Sequence, residues 1–455
     1  MLKRLFNFLS SRQPSENTVP QANGLAIIPR DQHNISRKHI SSAALRIIKQ
    51  LEESGFQAFL VGGGVRDLLL GSHPKDFDVA TSATPEEVRR IFRGARIIGR
   101  RFQIVHVRIG REVIEVTTFR GHHQEDNQKA QKNEDGMLLR DNVYGTLETD
   151  AVRRDFTVNA LYYTAKDFSV YDYCGGMQDI KTRTLRIIGD AETRYKEDPV
   201  RMLRAVRFAA KLGFSIAPTT AKPIAELAPL LANISEARLF EEVLKLFLNG
   251  SATATLGLLK EYGLLKELFP GVDAALDSGD AFSVNLIERA VVNTDKRIRA
   301  DKSVNPAFLY AALLWPALKT AQAELAKHMP PHAAYGQAAQ GVISQQLTRT
   351  SIPKRFLIPM REIWDLQDRL PSRLGMRALR TLDHPRFRAA YDFLLMREEA
   401  GEDTNGLGQW WTEFQQANEE RREQMISDLS RSNARGGNKK PSRRRPRKTS
   451  SSDNE

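Results

Sequence analysis

The stretch from Phe59 to Thr81, FLVGGGVRDLLLGSHPKDFDVAT, constrains this chain more than any other. Phe59 to Val61 is an apolar run of strand type, Gly62, Gly63 and Gly64 make a turn, and Val65 to Leu70 carries the pattern of a short helix that Gly71 stops. A second strand is expected around Asp76, Phe77 and Asp78. Side chains alternate along a strand, so Asp76 and Asp78 share one face while Phe77 turns into the core. Two carboxylates that close repel unless one is protonated or a divalent cation sits between them, and hard oxygen donors favour Mg²⁺ or Mn²⁺. The glycines suit an anionic partner, because without Cβ atoms their backbone N–H groups approach a phosphate closely at the start of a helix. A glycine turn alone is commonly just a turn, and an Asp-x-Asp pair alone is commonly a solvated edge. In this order, however, they put phosphate donors and metal ligands within reach of each other, as two-metal nucleotidyl transfer requires.

The same stretch resembles the signature of the superfamily that joins tRNA nucleotidyltransferases and bacterial poly(A) polymerases, the class II nucleotidyltransferases. Gly62, Gly63, Arg66, Asp67, Gly71, Asp76 and Asp78 stand at its positions. The resemblance implies an α/β head with a mixed sheet and helices, followed by an all-α neck, body and tail region. It gives the triphosphate to Gly62, Gly63 and Arg66, and the metal to Asp76 and Asp78.

Residues 41–53 read as an amphipathic helix, and Thr84-Pro85-Glu86-Glu87 opens another with a capping box. Strands are expected at Ile97 to Ile98, Phe102 to Ile109 and Val113 to Phe119. Glu115 sits on the last of these between apolar Ile114 and Val116. It is either solvent-facing or a third carboxylate facing Asp76 and Asp78 from a neighbouring strand. Residues 121–137 are polar and aperiodic and read as a mobile loop, with His122 and His123 adjacent and therefore pointing apart.

Arg153, Arg154 and Asp155 then precede an apolar run. By themselves they are a surface ion-pair set, of small energetic worth. The segment resembles the family's second motif, which implies that Asp155 and Arg154 engage the sugar and phosphates of the nucleotide, with Asp155 catalytic and Glu115 a supporting metal ligand. Which of these two acids completes the carboxylate set stays open at this level. In KEDPVRMLRAVRFAAKLGF, Asp198 is an expected N-cap, Pro199 the first helical residue and Gly213 the stop. Its residue-level reading is an ion pair of Glu197 or Asp198 with Arg201. Glu197, Asp198 and Arg201 also match the family motif that reads the incoming base. The chemistry agrees: adenine and cytosine each present an acceptor beside an amino donor, whereas guanine and uracil reverse the order, so a carboxylate next to an arginine accepts the first two.

Beyond residue 215 the periodicity is helical throughout, and Trp410, Trp411 and Phe414 at helical spacing read as core. A chain of 455 residues with 41% hydrophobic residues supports two to four domains. The expected division is a disordered arm over 1–40, a head over 41–185, a neck over 186–250, a helical body over 251–425 and a basic tail over 426–455. Leu2 to Leu9 as a membrane-touching helix is the alternative for part of the arm, and no stable membrane insertion is expected. One cysteine, Cys174, excludes a disulfide framework and suits a cytoplasmic setting. Nine Lys or Arg and no acid fall between Leu429 and Ser452, against a net charge of +13, so the tail suits a polyanion such as RNA.

The segment Ile97 to Val107, IIGRRFQIVHV, resembles the pattern that marks bacterial poly(A) polymerases against CCA-adding enzymes, the basic tail is the second feature that resembles the poly(A) polymerases, and VNPAFLYAALLW and HPRFRAAYDFLLMR also look like that family. The resemblance implies template-independent addition of AMP from ATP to RNA 3′ ends with release of pyrophosphate, in mRNA processing and decay alongside RNA-decay proteins. A CCA-adding enzyme and an inactive RNA-binding protein of the same fold are the alternatives.

Overall fold

The computed structural model describes residues 24–99, 103–121, 130–132, 138–141 and 143–436. Within them the chain forms two compact units. One runs to Asp277 and takes in Val291–Ser303 and Ala317–Ile352; the other comprises Ser278–Ala290, Val304–Pro316 and the chain from Pro353 on. The expected boundary at residue 250 therefore gives way to a first unit that reaches well into the helical region.

The first unit opens with strand β1 (Ala26–Ile28) and helix α1 (Ser42–Glu53), capped by Ser41. Ala43, Ala44, Ile47, Ile48 and Leu51 recur at helical spacing and are all buried. Strand β2 (Ala58–Val61) leads into α2 (Gly63–Leu69), β3 (Asp78–Thr81), α3 (Pro85–Ile91) and the strands β4 (Ala95–Ile98), β5 (Ile104–Ile109) and β6 (Glu112–Thr118). A short hairpin, β7 (Ala130–Lys132) and β8 (Leu138–Asp141), precedes α4 (Leu147–Arg153), β9 (Leu161–Tyr163), β10 (Val170–Asp172) and α5 (Gly176–Thr182). Eight strands form one sheet in the order β1-β10-β9-β2-β3-β6-β5-β4. Only β3 and β6 pair in parallel, so the mixed, largely antiparallel head expected from the sequence is present. One face of the sheet packs Leu60, Val79, Val105, Ile114 and Val116 against α1; the other buries Phe59, Val61, Phe119 and Tyr162.

Several expectations need correction. Residues 24–40 are not an arm: β1 pairs with β10, and Ile35 and Ile40 join the core, because the segment supplies apolar groups that the sheet edge can bury. The strand expected around Asp76 starts only at Asp78, where pairing with Val61 begins. Part of the expected 121–137 loop is strand β7, while 122–129, with His122 and His123, and 133–137 lie outside the described residues. So do Arg100, Arg101 and Phe102, residues 1–23 with the expected Leu2 to Leu9 helix, and the tail from 437 on. The final helix, Glu419–Gly436, extends past the expected body boundary at 425.

After the head come β11 (Thr184–Leu185), α6 (Ala191–Glu197), α7 (Val200–Leu212) and β12 (Ser215–Ile216), which pairs in parallel with β11. From Pro218 on every element among the described residues is helical, including α8 (Glu236–Phe247), which packs against α7. In the second unit Trp411 and Phe414 are fully buried, as their spacing predicts, and Trp410 stacks on Phe414 with ring centroids 4.5 Å apart. No helix among the described residues is long and apolar enough to cross a membrane.

Candidate active site

Gly62 caps α2 with φ +73°, a left-handed conformation that glycine adopts without penalty. A Cβ placed there would stand 3.9 Å from Asp78 Oδ2 and 3.7 Å from Arg154 Nη1, so this turn brings three expected site residues together. Gly64 has a packing role instead, since its Cβ would meet the Phe77 ring at 3.3 Å. Phe77 is buried and Asp76, just ahead of the strand, is exposed.

Strand register supplies the next residue. Asp78 lies opposite Glu115 across the parallel β3–β6 pair, and Glu115 lies opposite His106 on β5, with His106 Nε2 3.4 Å from Glu115 Oε1. The Glu115 side chain is 51% exposed, and its register with Asp78 puts it on the face of the sheet that carries Asp78. Burial, then Glu115 and Asp76, push the Asp78 carboxyl up to about 6 against the pull of Arg154. An all-oxygen set so short of positive charge fits a hard divalent cation. Among the described residues no three His, Cys, Asp or Glu side chains form a ready-made ligand cluster, so the fit rests on the chemistry of the donors.

Arg154, the residue that ends α4, is held from behind. Its Nε and Nη2 donate to Asp150 Oδ2 at 3.2 and 3.0 Å, and Nε also to the Tyr162 hydroxyl at 2.8 Å. Burial works against its charge, but Tyr162 and Asp150 hold the guanidinium above its usual range. Asp155 is fully engaged: Oδ2 accepts from Arg204 Nε and Nη2 at 2.8 and 2.5 Å, and Oδ1 from Asn159 Nδ2 and the Phe156 N–H at 3.1 and 2.8 Å. Burial would raise this carboxyl, yet Arg204 and those donors hold it down at about 2. Of the two acids the sequence left open, Glu115 is the one in register with Asp78, and Asp155 joins the head to α7. Arg66 is likewise buried and engaged, donating to Asp67 Oδ1 and to Asn159 Oδ1 at 2.8 and 2.6 Å, with its guanidinium 5.1 Å from the Phe208 ring centroid.

The expected N-cap at Asp198 is not formed. Pro199 stands at the cap of α7, and the Asp198 carboxylate turns away to accept from Arg238 Nη2 at 2.9 Å. The ion pair read from the sequence is present: Arg201 Nη1 lies 3.0 Å from Glu197 Oε2, which Arg194 also contacts at 2.7 Å. Arg194 in turn donates to the carbonyls of Arg153 and Arg154 at 2.6 and 2.8 Å, tying α6 to the second motif. Burial, then Arg201, lower Arg194 to about 10. Sequence reasoning missed Arg194, Arg204 and Arg238 as partners. Arg204 had a signal in the three-residue arginine spacing of α7, whereas Arg238, forty positions from Asp198, had none. A cavity of about 1070 Å³ lined by Tyr173, Cys174, Arg186, Gly189 and Lys222 includes none of the expected site residues.

Three family models match in succession: the poly A polymerase head domain over 58–186, a "Probable RNA and SrmB- binding site of polymerase A" over 213–276, and the polymerase A arginine-rich C-terminus over 327–449. The chain is 48% identical to a poly(A) polymerase I of Escherichia coli O6:H1 over 98% of its own length and 99% of that protein's. It is 46% identical to the poly(A) polymerase I of Haemophilus influenzae, with 94% and 96% covered. Among solved structures, the Bacillus stearothermophilus CCA-adding enzyme in complex with CTP is similar at a TM-score of 0.53 and 29% identity, over 86% of this chain and 82% of that one.

Proposed function

The chain belongs to the bacterial poly(A) polymerase I family, and from that premise we propose how its residues carry out template-independent transfer of AMP from ATP to RNA 3′ ends. The 3′-oxygen attacks the α-phosphorus, the bond to the β-phosphate oxygen breaks, and pyrophosphate leaves. The single observation that carries the site reading is that Asp78 and Arg154 both close on the Gly62 turn, each within 4 Å of where a Cβ on Gly62 would stand.

Asp76, Asp78 and Glu115 would hold a divalent metal, Mg²⁺ or Mn²⁺, which when bound would supply positive charge to acidify the RNA hydroxyl and offset the charge of the leaving pyrophosphate. Gly62 and Gly63 present backbone N–H groups to the triphosphate. Arg154, backed by Asp150 and Tyr162, gives its remaining N–H groups to the phosphates. Asp155, with both oxygens engaged, acts by fixing Arg204 and the turn after Arg154 and not by touching the ribose; Arg66 supports the phosphate turn from beneath by bracing α2. Asp198 and Arg201 read the base, and Glu197 holds Arg201 for that role.

The CCA-adding alternative is not favoured, since near-full-length identity is with poly(A) polymerases. An inactive RNA-binding protein would have no use for an uncompensated acid at Asp78. The protein acts on RNA in the cytoplasm, and RNA-decay proteins are its further partners. Incubation of the purified protein with a short RNA, Mg²⁺ and each nucleotide singly tests the assignment. Long tails with ATP alone are expected; extension by CTP ending after two additions on tRNA would overturn it.

A further inference from the structure

Pairing register lines up one row of residues across five strands. Val61 on β2 lies opposite Asp78 on β3, Asp78 opposite Glu115 on β6, Glu115 opposite His106 on β5, and His106 opposite Arg96 on β4. Residues paired across strands project from one face of a sheet, so the row runs along the face that carries the Asp78 and Glu115 carboxylates. Gly62 follows Val61 and puts the phosphate turn at one end of the row. Arg96 stands at the other end, about 14 Å from Asp78 at three strand spacings of about 4.8 Å.

Residues two apart on a strand share a face, which adds Arg108 opposite Val113, and Ile98 opposite Ile104, to this surface. The alternate residues Val105, Val107, Ile114 and Val116 lie in the core on the other side. Val113 is 52% and Ile98 36% exposed, and Arg96 and Arg108 are exposed without an ion pair among the described residues. An arginine on the edge strand β4 guards against edge-to-edge pairing, but that reason does not extend to Arg108 on the inner strand β5. The direction of the reaction supplies another. In phosphoryl transfer the attacking and leaving oxygens stand roughly in line on opposite sides of the phosphorus. With the triphosphate at the Gly62 turn, pyrophosphate leaves on the β2 side of Asp78, and the RNA 3′-oxygen arrives from the β6 side.

We propose that the outer face of β4, β5 and β6 is the track for the RNA segment just upstream of its 3′ end. Arg96 and Arg108 take backbone phosphates, and His106, Val113 and Ile98 lie against base faces. The occupant is a single strand, since a tail of adenylates grown without a template has no complement. This inference rests on the nucleotidyl-transfer reading of the site.

The test compares wild type with Arg96→Ala, Arg108→Ala, Arg96→Lys and Arg90→Ala; Arg90 is an exposed residue of α3, which packs on the opposite face of the sheet. Affinity for a labelled oligoadenylate is measured across a salt series, with kcat and KM for AMP addition to that oligomer and to an adenylate dinucleotide. Arg96→Ala and Arg108→Ala are each expected to weaken the oligomer about fivefold at about 0.1 M salt and to shrink the log–log salt slope by roughly 0.7, the share of one phosphate. KM for the oligomer should rise by the same factor while kcat and KM for ATP stay at wild-type values. The dinucleotide, which ends short of β4, should be extended equally by wild type and Arg96→Ala. Arg96→Lys should keep most of the affinity, and Arg90→Ala should match wild type. An unchanged slope in both Ala variants, an equal loss in Arg90→Ala, or a rise in KM for ATP in place of RNA would overturn the track. Absence of AMP addition by the wild-type protein would instead bring down the nucleotidyl-transfer reading, so the two failures are told apart.

Discussion

Asp78 and Glu115 are register partners on neighbouring parallel strands, and the pairing places both carboxylates on the same face of the sheet. No lysine or arginine side chain forms an ion pair with either among the described residues, and the closest basic partner of Glu115 is His106 at 3.4 Å. Together with burial, the charge balance at this face raises the Asp78 carboxyl.

With Asp78 held at about 6 against an ordinary 3.8, the folded state binds more protons than the unfolded state between those values. Stability of the metal-free protein therefore falls as pH rises through that window, by an amount on the order of 2–3 kcal/mol from this group. Asp78→Asn should remove the slope, so that in EDTA at pH 7 the variant unfolds at a higher temperature than wild type while nucleotide addition is lost. Adding Mg²⁺ should raise the midpoint of wild type and leave the variant almost unmoved. Thermal unfolding at pH 4 to 8, with and without Mg²⁺, checks both points.

How much of the fold and the site was legible in the sequence follows from the range of each interaction. The capping box at Thr84 and the Gly213 stop are local, and each appears where the pattern puts it, whereas the expected turn over Gly62, Gly63 and Gly64 narrows to Gly62, since α2 already starts at Gly63. Glu115 was readable only as far as its strand, because its neighbour is set by a β3–β6 pairing across thirty-seven residues of chain. Asp198 misled for a local reason: Pro199 favours a helix start and an acid before it resembles a cap, but Arg238 offers a charged partner that outcompetes backbone N–H groups. Asp155 read as one of a surface ion-pair set with Arg153 and Arg154, since nothing nearby in sequence marks Arg204 as its partner.

The Asp155–Arg204 pair predicts a large stability effect. Arg204→Ala leaves a nearly buried carboxylate without its counter-charge, which costs about 3–5 kcal/mol. Because Asp155 is held at about 2, below its ordinary value, its contribution is present above pH 4 and is lost as pH falls toward 2. Arg204→Ala should flatten that acid limb. Urea unfolding of wild type and variant at pH 3, 5 and 7 measures it; parallel acid limbs would show that the pair is not coupled to folding.

The basic segment beyond the last helix predicts a salt effect. Truncation after Gly436 preserves the helix Glu419–Gly436 and removes seven of the nine basic residues between 429 and 452. Single-nucleotide addition at saturating RNA should persist, while RNA affinity drops and its log–log salt slope shrinks by roughly 0.7 for each phosphate that the shortened chain no longer neutralises. Fluorescence anisotropy with a labelled single strand between 50 and 200 mM salt is the measurement, and an unchanged slope would mean the segment does not touch RNA.

The most discriminating test concerns Arg201. Its Nη1 is occupied by Glu197 and the Arg194 carbonyl, so part of the residue is a brace between α6 and α7, and the remainder of the guanidinium is available to a base. Those two roles separate by nucleotide. A donor aimed at adenine N1 or cytosine N3 meets the ring N–H of guanine or uracil as a second donor, so removing it deletes a favourable bond in one case and a clash in the other. A charged hydrogen bond contributes about 1.5–3 kcal/mol, and Arg201→Ala should therefore cut the preference for ATP over GTP and UTP roughly ten- to a hundredfold. Triphosphate binding should change little, because Arg154 and the Gly62 turn are untouched. A pure brace gives a different result: lower stability and one common factor for all four nucleotides. Glu197→Gln separates the roles further, since it weakens the brace while leaving the Arg201 donors in place, and Arg194 keeps α6 tied to the Arg153 and Arg154 carbonyls. That variant should lose some stability and retain the wild-type ranking; a collapse of ranking in Glu197→Gln equal to that in Arg201→Ala would assign the selectivity to helix placement and not to a donor on the base.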